Sequence, residues 1–132
     1  MHKGSCLCGQ VTVELASTHT DQVVCHCTDC RQTSGSAFST SVMVKSKDLT
    51  ITGPVKEYRS KVPSGNTVTR LFCGTCGSPI THLSPAYGDA QTVLTGNFSD
   101  FAEVPINMEV FVKDRWSGLS PIDGAAQVQD MP

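Results

Sequence analysis

The stretch Cys25-His26-Cys27-Thr28-Asp29-Cys30-Arg31 places three thiols and an imidazole within six residues. In an extended backbone successive side chains point to opposite faces, so Cys25 and Cys27 project to one side and His26 projects to the other. A tight turn then has to bring Cys30 round to the same point. Thiolates are soft ligands that suit zinc, and a structural zinc takes four ligands in a tetrahedron. Because this segment offers three, the sequence predicts a metal site with one open position.

Four further cysteines form two pairs that are distant in the sequence. Gly4-Ser5-Cys6-Leu7-Cys8-Gly9 leads into residues 11–15, whose alternating pattern predicts a half-buried strand. Phe72-Cys73-Gly74-Thr75-Cys76-Gly77-Ser78 has the spacing of a zinc knuckle, with glycines that let the backbone wrap round an ion. Several partitions of the seven cysteines are compatible with the sequence. The one we favour keeps the central three together and joins the two remote pairs, Cys6, Cys8, Cys73 and Cys76, into a closed structural site.

Length and charge limit the classes of function. At 132 residues we expect a single domain, 1–132, with a core at about 4–118 and a frayed tail at 125–132. A formal net charge of -2 gives no electrostatic footprint for nucleic acid or an anionic membrane, and no run of residues is long enough for a membrane span. We therefore expect a cytoplasmic protein. In that reducing compartment seven cysteines favour metal binding over a disulfide framework with one spare thiol.

The rest of the chain predicts a mainly β fold. β-Branched and alternating segments indicate strands at 38–44, 49–51, 55–59, 67–72, 80–83, 91–94 and 106–112. Pro63-Ser64-Gly65-Asn66 is a strong turn signal and predicts a hairpin. Residues 31–36 are compatible with one helical turn ended by Gly35, within a loop shaped around the site. We expect Trp116 to pack at an edge of the fold.

The ligand charges indicate the chemistry of the open site. Three thiolates outweigh the double positive charge of zinc, so a water bound there is a poorer acid than one on a zinc held by neutral histidines. Such a site accepts a fourth sulfur instead, which predicts a thiol substrate. Arg31 either holds a substrate carboxylate or offsets thiolate charge, and the sequence does not separate these roles. For His82 we expect a structural role rather than a catalytic one.

The order, spacing and flanking residues of the three cysteine motifs closely resemble the glutathione-dependent formaldehyde-activating (GFA) enzymes, also called the centromere protein V/GFA domain family. The resemblance spans roughly residues 4–116. It implies a β-tent fold of several coiled antiparallel sheets held together by zinc. It also implies one structural zinc and one catalytic zinc per chain, with Cys25, Cys27 and Cys30 as the catalytic ligands and Cys6, Cys8, Cys73 and Cys76 as the structural ones.

The same resemblance implies carbon-sulfur lyase chemistry. The reaction joins formaldehyde to glutathione as S-hydroxymethylglutathione, and we extend it to a small thiol and another small aldehyde, or to the reverse reaction. The expected partners are these small molecules, and a homo-oligomer is left open. Two alternatives are a non-catalytic zinc-stabilised β-tent binding module and a zinc/thiol redox switch. A methionine sulfoxide reductase of similar fold is disfavoured, because it needs a late nucleophilic cysteine and none follows Cys76.

Overall fold

The computed structural model describes residues 1–131, which form eleven strands, one α-helix and several short 3₁₀ turns. The strands are β1 His2–Ser5, β2 Thr12–Leu15, β3 Gln22–Cys25, β4 Ser39–Lys45, β5 Leu49–Thr52, β6 Val55–Lys61, β7 Thr67–Cys73, β8 Pro79–Leu83, β9 Ala90–Leu94, β10 Ile106–Val110 and β11 Ala126–Gln127. The helix, α1, spans Thr28–Ser34. The predicted mainly β class is confirmed, and no helix in the described part of the chain is long and apolar enough to span a membrane.

The strands form two sheets. One has three antiparallel strands in the order β1-β2-β5, and the other has eight in the order β11-β10-β3-β4-β9-β8-β7-β6. The larger sheet is antiparallel from β3 to β6, but β10 pairs in parallel with both β3 and β11. The sheets are therefore less uniformly antiparallel than predicted. A parallel neighbour needs a long crossover, and about eighty residues separate β3 from β10.

The core lies where the small sheet packs against the large one. Alternation along β2 buries Val13 and Leu15, while Thr12 and Glu14 face solvent. The buried cluster comprises Cys6, Val11, Val13, Leu15, Val42, Val44, Cys73, Ile80, Val93, Phe98 and Phe101. Two cysteines of the predicted structural site, Cys6 and Cys73, are therefore part of the core.

The predicted hairpin is confirmed. Strands β6 and β7 pair antiparallel over their full length, from Val55↔Cys73 to Lys61↔Thr67. The turn closes through a hydrogen bond from the Val62 N–H to the Asn66 carbonyl, 3.0 Å, and Gly65 adopts the left-handed backbone that such a turn requires. The hairpin delivers Cys73 to the turn that holds the second cysteine pair.

The C-terminal segment differs from the prediction. The strand predicted at 106–112 ends at Val110, because Phe111 adopts a left-handed backbone with φ 53°. Within the tail predicted to be frayed, 125–132, residues Ala126–Gln127 form β11, which pairs with β10 through Met108↔Ala126 and Glu109↔Gln127. These few residues carry no hydrophobic periodicity, and their order comes from hydrogen bonds to β10. The expectation for Pro132 lies outside the described residues.

Hydrogen bonds from the tail and from other parts of the chain meet at the buried carboxylate of Glu109. Glu109 accepts from His26 Nε2 at 2.8 Å, from the Ile122 N–H at 2.9 Å and from Gln127 Nε2 at 2.6 Å. Arg115 Nη2 donates to the same side chain at 3.3 Å. Burial alone would raise the pKa of Glu109, but the hydrogen bonds, led by that of Gln127, lower it to about 2. The carboxylate is therefore charged and links β10, β11 and the central cysteine segment.

We predict that Glu109→Ala lowers the free energy of unfolding by about 3 kcal/mol, because it removes the acceptor shared by four buried or half-buried donors. Urea denaturation of zinc-loaded protein measures this loss. The matched control is Glu103→Ala, at an exposed position, which should change stability by less than about 0.5 kcal/mol. Equal stabilities for the two variants would contradict the role assigned to Glu109.

Candidate metal centres

The structure brings the two remote cysteine pairs together. The Sγ atoms of Cys6 and Cys8 lie 3.6 Å apart, and those of Cys8 and Cys73 lie 3.7 Å apart. A tetrahedral zinc with bonds of about 2.3 Å separates its sulfurs by about 3.8 Å. When Cys76 is included, the group has four sulfurs, and all of them lie within 4.8 Å of one another. The donor set and its spacing therefore fit a closed zinc site.

Both halves of this site use the same local backbone. Gly9 and Gly77 each adopt a left-handed conformation just after a cysteine pair, and each donates its N–H to the carbonyl of the first cysteine of that pair. Backbone donors also point at sulfur, with the Val11 N–H 3.2 Å from Cys6 Sγ and the Cys76 N–H 3.4 Å from Cys73 Sγ. Hydrogen bonds of this kind favour the thiolate, the form that binds metal.

The central three cysteines form a second group, as predicted. Cys25 ends β3, Cys27 caps the N-terminus of α1 in an extended backbone, and Cys30 lies in the first turn of the helix. Their sulfurs are within 4.8 Å of one another, and the Cys30 N–H donates to Cys27 Sγ at 3.3 Å. The tight turn expected after Cys27 is thus the start of a helix, which begins before the predicted residue 31 and ends at Gly35.

His26 lies on the side opposite these sulfurs. It is 1% exposed, and its Nε2 contacts Glu109 at 2.8 Å. The prediction that it is not the fourth ligand agrees with this geometry. Among the described residues, no histidine or carboxylate joins the three sulfurs within metal-binding distance.

Because the three thiols lie close together, their pKa values differ from one another. Hydrogen bonds from Cys25 and then Cys30 lower the pKa of Cys27 to about 2, and the same contact with Cys27 raises the pKa of Cys25. The pKa of Cys30 is raised to about 11, because contact with Cys27 and burial outweigh the hydrogen bonds from Cys25 and Ser39. Without a cation, ionisation of one thiol opposes ionisation of the other two. A divalent metal supplies the positive charge that three thiolates need.

The Arg31 side chain is held by contacts with neighbouring parts of the protein. Its Nη1 donates to the carbonyls of His26 at 3.3 Å and Asp114 at 3.1 Å. Its guanidinium carbon lies 5.8 Å from the ring centroid of Trp116, which is 53% exposed rather than packed as expected. These contacts fix residues 112–116 against the cysteine segment. The two roles predicted for Arg31, substrate binding and charge compensation, stay predictions.

Two side chains that the sequence did not assign to the site lie beside it. Arg70 on β7 and His82 on β8 are directly paired across the sheet, and Arg70 Nη2 lies 3.5 Å from the Asp29 carboxylate in α1. His82 is buried as the predicted structural histidine would be, but its Nε2 has no hydrogen-bond partner. Burial and then the charge of Arg70 lower the pKa of His82 to about 4, with the Cys27 thiolate acting in the opposite direction. The sequence signal was one charged residue inside an otherwise uncharged strand.

A cavity of about 280 Å³ lies beside two serines that contact Cys30. Ser34 and Ser39 line it, and both contact Cys30, Ser34 through a 2.6 Å hydrogen bond to the Cys30 carbonyl. Phe38 and Pro79 contribute apolar surface. A larger cavity of about 420 Å³ lies at Arg59 and Thr67. Neither cavity is lined by a cysteine, and the smaller one is lined by residues that contact Cys30.

Comparison with known proteins identifies the family. The family model described as glutathione-dependent formaldehyde-activating enzyme matches residues 1–114, which include all seven cysteines. The chain belongs to the GFA family. No match was found among curated proteins. A crystal structure of a Rhodobacter sphaeroides protein, a structural genomics target, is 24% identical, with a TM-score of 0.59, covering 80% of this chain and 99% of the other. That likeness supports the fold.

We predict unequal losses of stability from the two cysteine groups. Cys73→Ser should lower the unfolding free energy by about 5 kcal/mol, because its site joins distant segments inside the core. Cys27→Ser, whose group is local in sequence, should cost about 1 kcal/mol. Thermal and urea unfolding with zinc supplied compares the two variants. Equal losses would show that the groups do not divide into structural and local sites.

We also predict that freshly purified, reduced protein binds between one and two zinc ions per chain, with the deficit at Cys25, Cys27 and Cys30. An open coordination position makes that ion easier to lose. Metal analysis and mass spectrometry of alkylated cysteines measure both quantities. Because Cys8 is exposed, its protection from alkylation would indicate that a metal ion occupies the four-cysteine site. Alkylation of Cys6 or Cys76 before the central three would reverse the assignment.

Proposed function

We propose that this protein is a zinc-dependent carbon-sulfur lyase of GFA type, which joins a small thiol to formaldehyde or another small aldehyde, or catalyses the reverse reaction. The observation that carries the proposal is the group Cys25, Cys27 and Cys30, which gathers three sulfurs and no fourth protein ligand among the described residues. A purely structural site would be closed by a fourth ligand, as the other group is. Membership of the GFA family supports the same reading.

Zinc fits both groups by donor chemistry and spacing, and at the central group a bound zinc would lower the pKa of an incoming thiol and act as a Lewis acid. Cys25, Cys27 and Cys30 would hold that ion, and Cys6, Cys8, Cys73 and Cys76 would hold the structural one. The Cys30 N–H donates to Cys27 Sγ, so α1 orients one ligand directly. The contact between His26 and Glu109 fixes the strand end between two ligands.

The remaining residues position the substrates. The cavity beside Ser34 and Ser39 has room for the body of a thiol whose sulfur faces the central cysteines. Phe38 and Pro79 supply apolar contact, and serine hydroxyls supply hydrogen bonds. Holding thiol and aldehyde together in a reactive orientation contributes several kcal/mol to the rate. Glutathione is the first candidate for the thiol because of the family, and we place the reaction in the cytoplasm, where that thiol is abundant.

Zinc X-ray absorption during a glutathione titration tests this proposal. We predict that the average sulfur coordination rises, or stays constant while one of Cys25, Cys27 and Cys30 becomes alkylatable. S-methylglutathione is the matched control, because it keeps the peptide but has no thiol to ionise, and it should change neither signal. Unchanged spectra and unchanged alkylation at saturating glutathione, with both sites filled, would rule out a thiol-binding zinc. Assays of thiols paired with small aldehydes then identify the substrates.

A further inference from the structure

Arg70 and His82 share a sheet face with the central cysteines. Directly paired residues of a sheet lie on the same face, and so do alternate residues of one strand. Cys25 pairs with Ser39 on β4, and two alternate positions further along β4 is Met43, which pairs with Thr92 on β9. Thr92 in turn pairs with His82, and His82 pairs with Arg70. The contact of Thr92 Oγ1 with Met43 Sδ, 3.9 Å, agrees with this register.

Helix α1 brings this row and the cysteines into one place. Asp29 lies between two of the predicted ligands, Cys27 and Cys30, and its carboxylate is 3.5 Å from Arg70 Nη2. Arg70 and His82 therefore stand at the edge of the open site.

Each of these two side chains has a buried nitrogen without a partner. They are Arg70 Nε and His82 Nε2, and both are shielded from water. An unsatisfied buried polar group is costly, and such groups in a native protein call for a ligand or a catalytic use. A structural role accounts for the other nitrogens of Arg70, since Nη1 contacts Ser60 at 3.2 Å and Nη2 faces Asp29, but it does not account for Nε.

The unpartnered nitrogens indicate the kind of ligand. The two Nη atoms of Arg70 contact Ser60 and Asp29, so the position of its guanidinium without a contact is Nε. The Nε–H of Arg70 and, in the tautomer protonated at Nε2, the N–H of neutral His82 are donors that suit an oxygen with negative charge. Met43 and Tyr58, at the two ends of the same row, are exposed, whereas His82 between them is buried.

We propose that Arg70 Nε and His82 Nε2 form an oxyanion site that receives the aldehyde oxygen during carbon-sulfur bond formation. The proposal rests on the proposed function and adds two catalytic residues to it. The thiolate sulfur attacks the aldehyde carbon, the carbon-sulfur bond forms, and the carbonyl π pair moves to oxygen. That oxygen takes up one proton, equal to the one the thiol released, so no oxidant or reductant is needed. The two N–H groups stabilise the charge on oxygen before protonation.

Formate, a one-carbon oxyanion, tests the site without turnover. In zinc-loaded protein labelled with ¹⁵N-histidine, formate should shift the His82 ring signals saturably and leave those of His19 unchanged. Arg70→Met should abolish the shift. The matched control Arg59→Met removes an exposed arginine from β6 and should retain it. An unresponsive His82, or an equal response in Arg70→Met, overturns the proposal, because formate bound only to zinc would not depend on Arg70.

Kinetics tests the same residues in the reaction. Arg70→Met and His82→Phe should each lower kcat about a hundredfold, while calorimetric glutathione affinity and zinc content stay as in the wild type. His82→Gln, which keeps a side-chain N–H, should recover about tenfold over His82→Phe, a rescue that a purely structural role would not give. Full activity of both Arg70→Met and His82→Phe overturns the proposal.

An unstable Arg70→Met variant and an inactive wild-type protein can each be distinguished from failure of the oxyanion site. If Arg70→Met is unstable, Arg70→Lys keeps a positive charge beside Asp29 but lacks Nε–H in the same position, and it should show the same loss. If the wild-type protein turns over no pair of thiol and aldehyde, the proposed function fails, and the formate titration alone decides whether Arg70 and His82 bind an oxyanion.

Discussion

Repulsion between crowded thiolates is the constraint on which this structure depends. Four sulfurs at separations such as 3.6 and 3.7 Å meet at the junction of the two sheets, and three more meet at the start of α1. Neither group can ionise fully without positive charge between its members. In the first group two cysteine pairs that are distant in the sequence meet at the core. A cation that neutralises their sulfurs would therefore also hold distant segments of the chain together. In the second the sulfurs are neighbours in sequence, so a cation there would not have to join distant segments.

Local patterns in the sequence predicted most of the strands and the composition of both cysteine groups. Alternation predicted β2, the turn residues predicted the β6–β7 hairpin, and the spacing of the cysteines predicted the two groups that lie together in the structure. Features that depend on distant pairing were missed. β11 has no periodicity of its own and is ordered by β10, and Glu109 receives its donors from four separate positions. Arg70 and His82 became recognisable as a pair once the register of β7 and β8 was known.

The proposed site would bind a soft sulfur atom and a hard oxygen atom on one face of a sheet. With the proposed roles, sulfur ligands at the end of β3 would select a soft partner, whereas the N–H groups of Arg70 and His82 would suit an oxygen with negative charge. The ion pair with Asp29 connects these regions through α1, because Asp29 belongs to the same helical turn as Cys30. The spacing between sulfur and oxygen positions is therefore set by the backbone of one helix and one sheet, both of which are more rigid than a loop.

The parallel pairing of β10 with β3 has a consequence for the order of events during biosynthesis. β3 carries Cys25 to the central group, yet its neighbour on one side is made about eighty residues later. The pairs at Cys6–Cys8 and Cys73–Cys76 are complete once residue 76 has left the ribosome, so the core can close around them first. His26 acquires Glu109 only after β10 is synthesised. The central group, although its sulfurs are synthesised first, is therefore the last of the two groups to gain all its contacts.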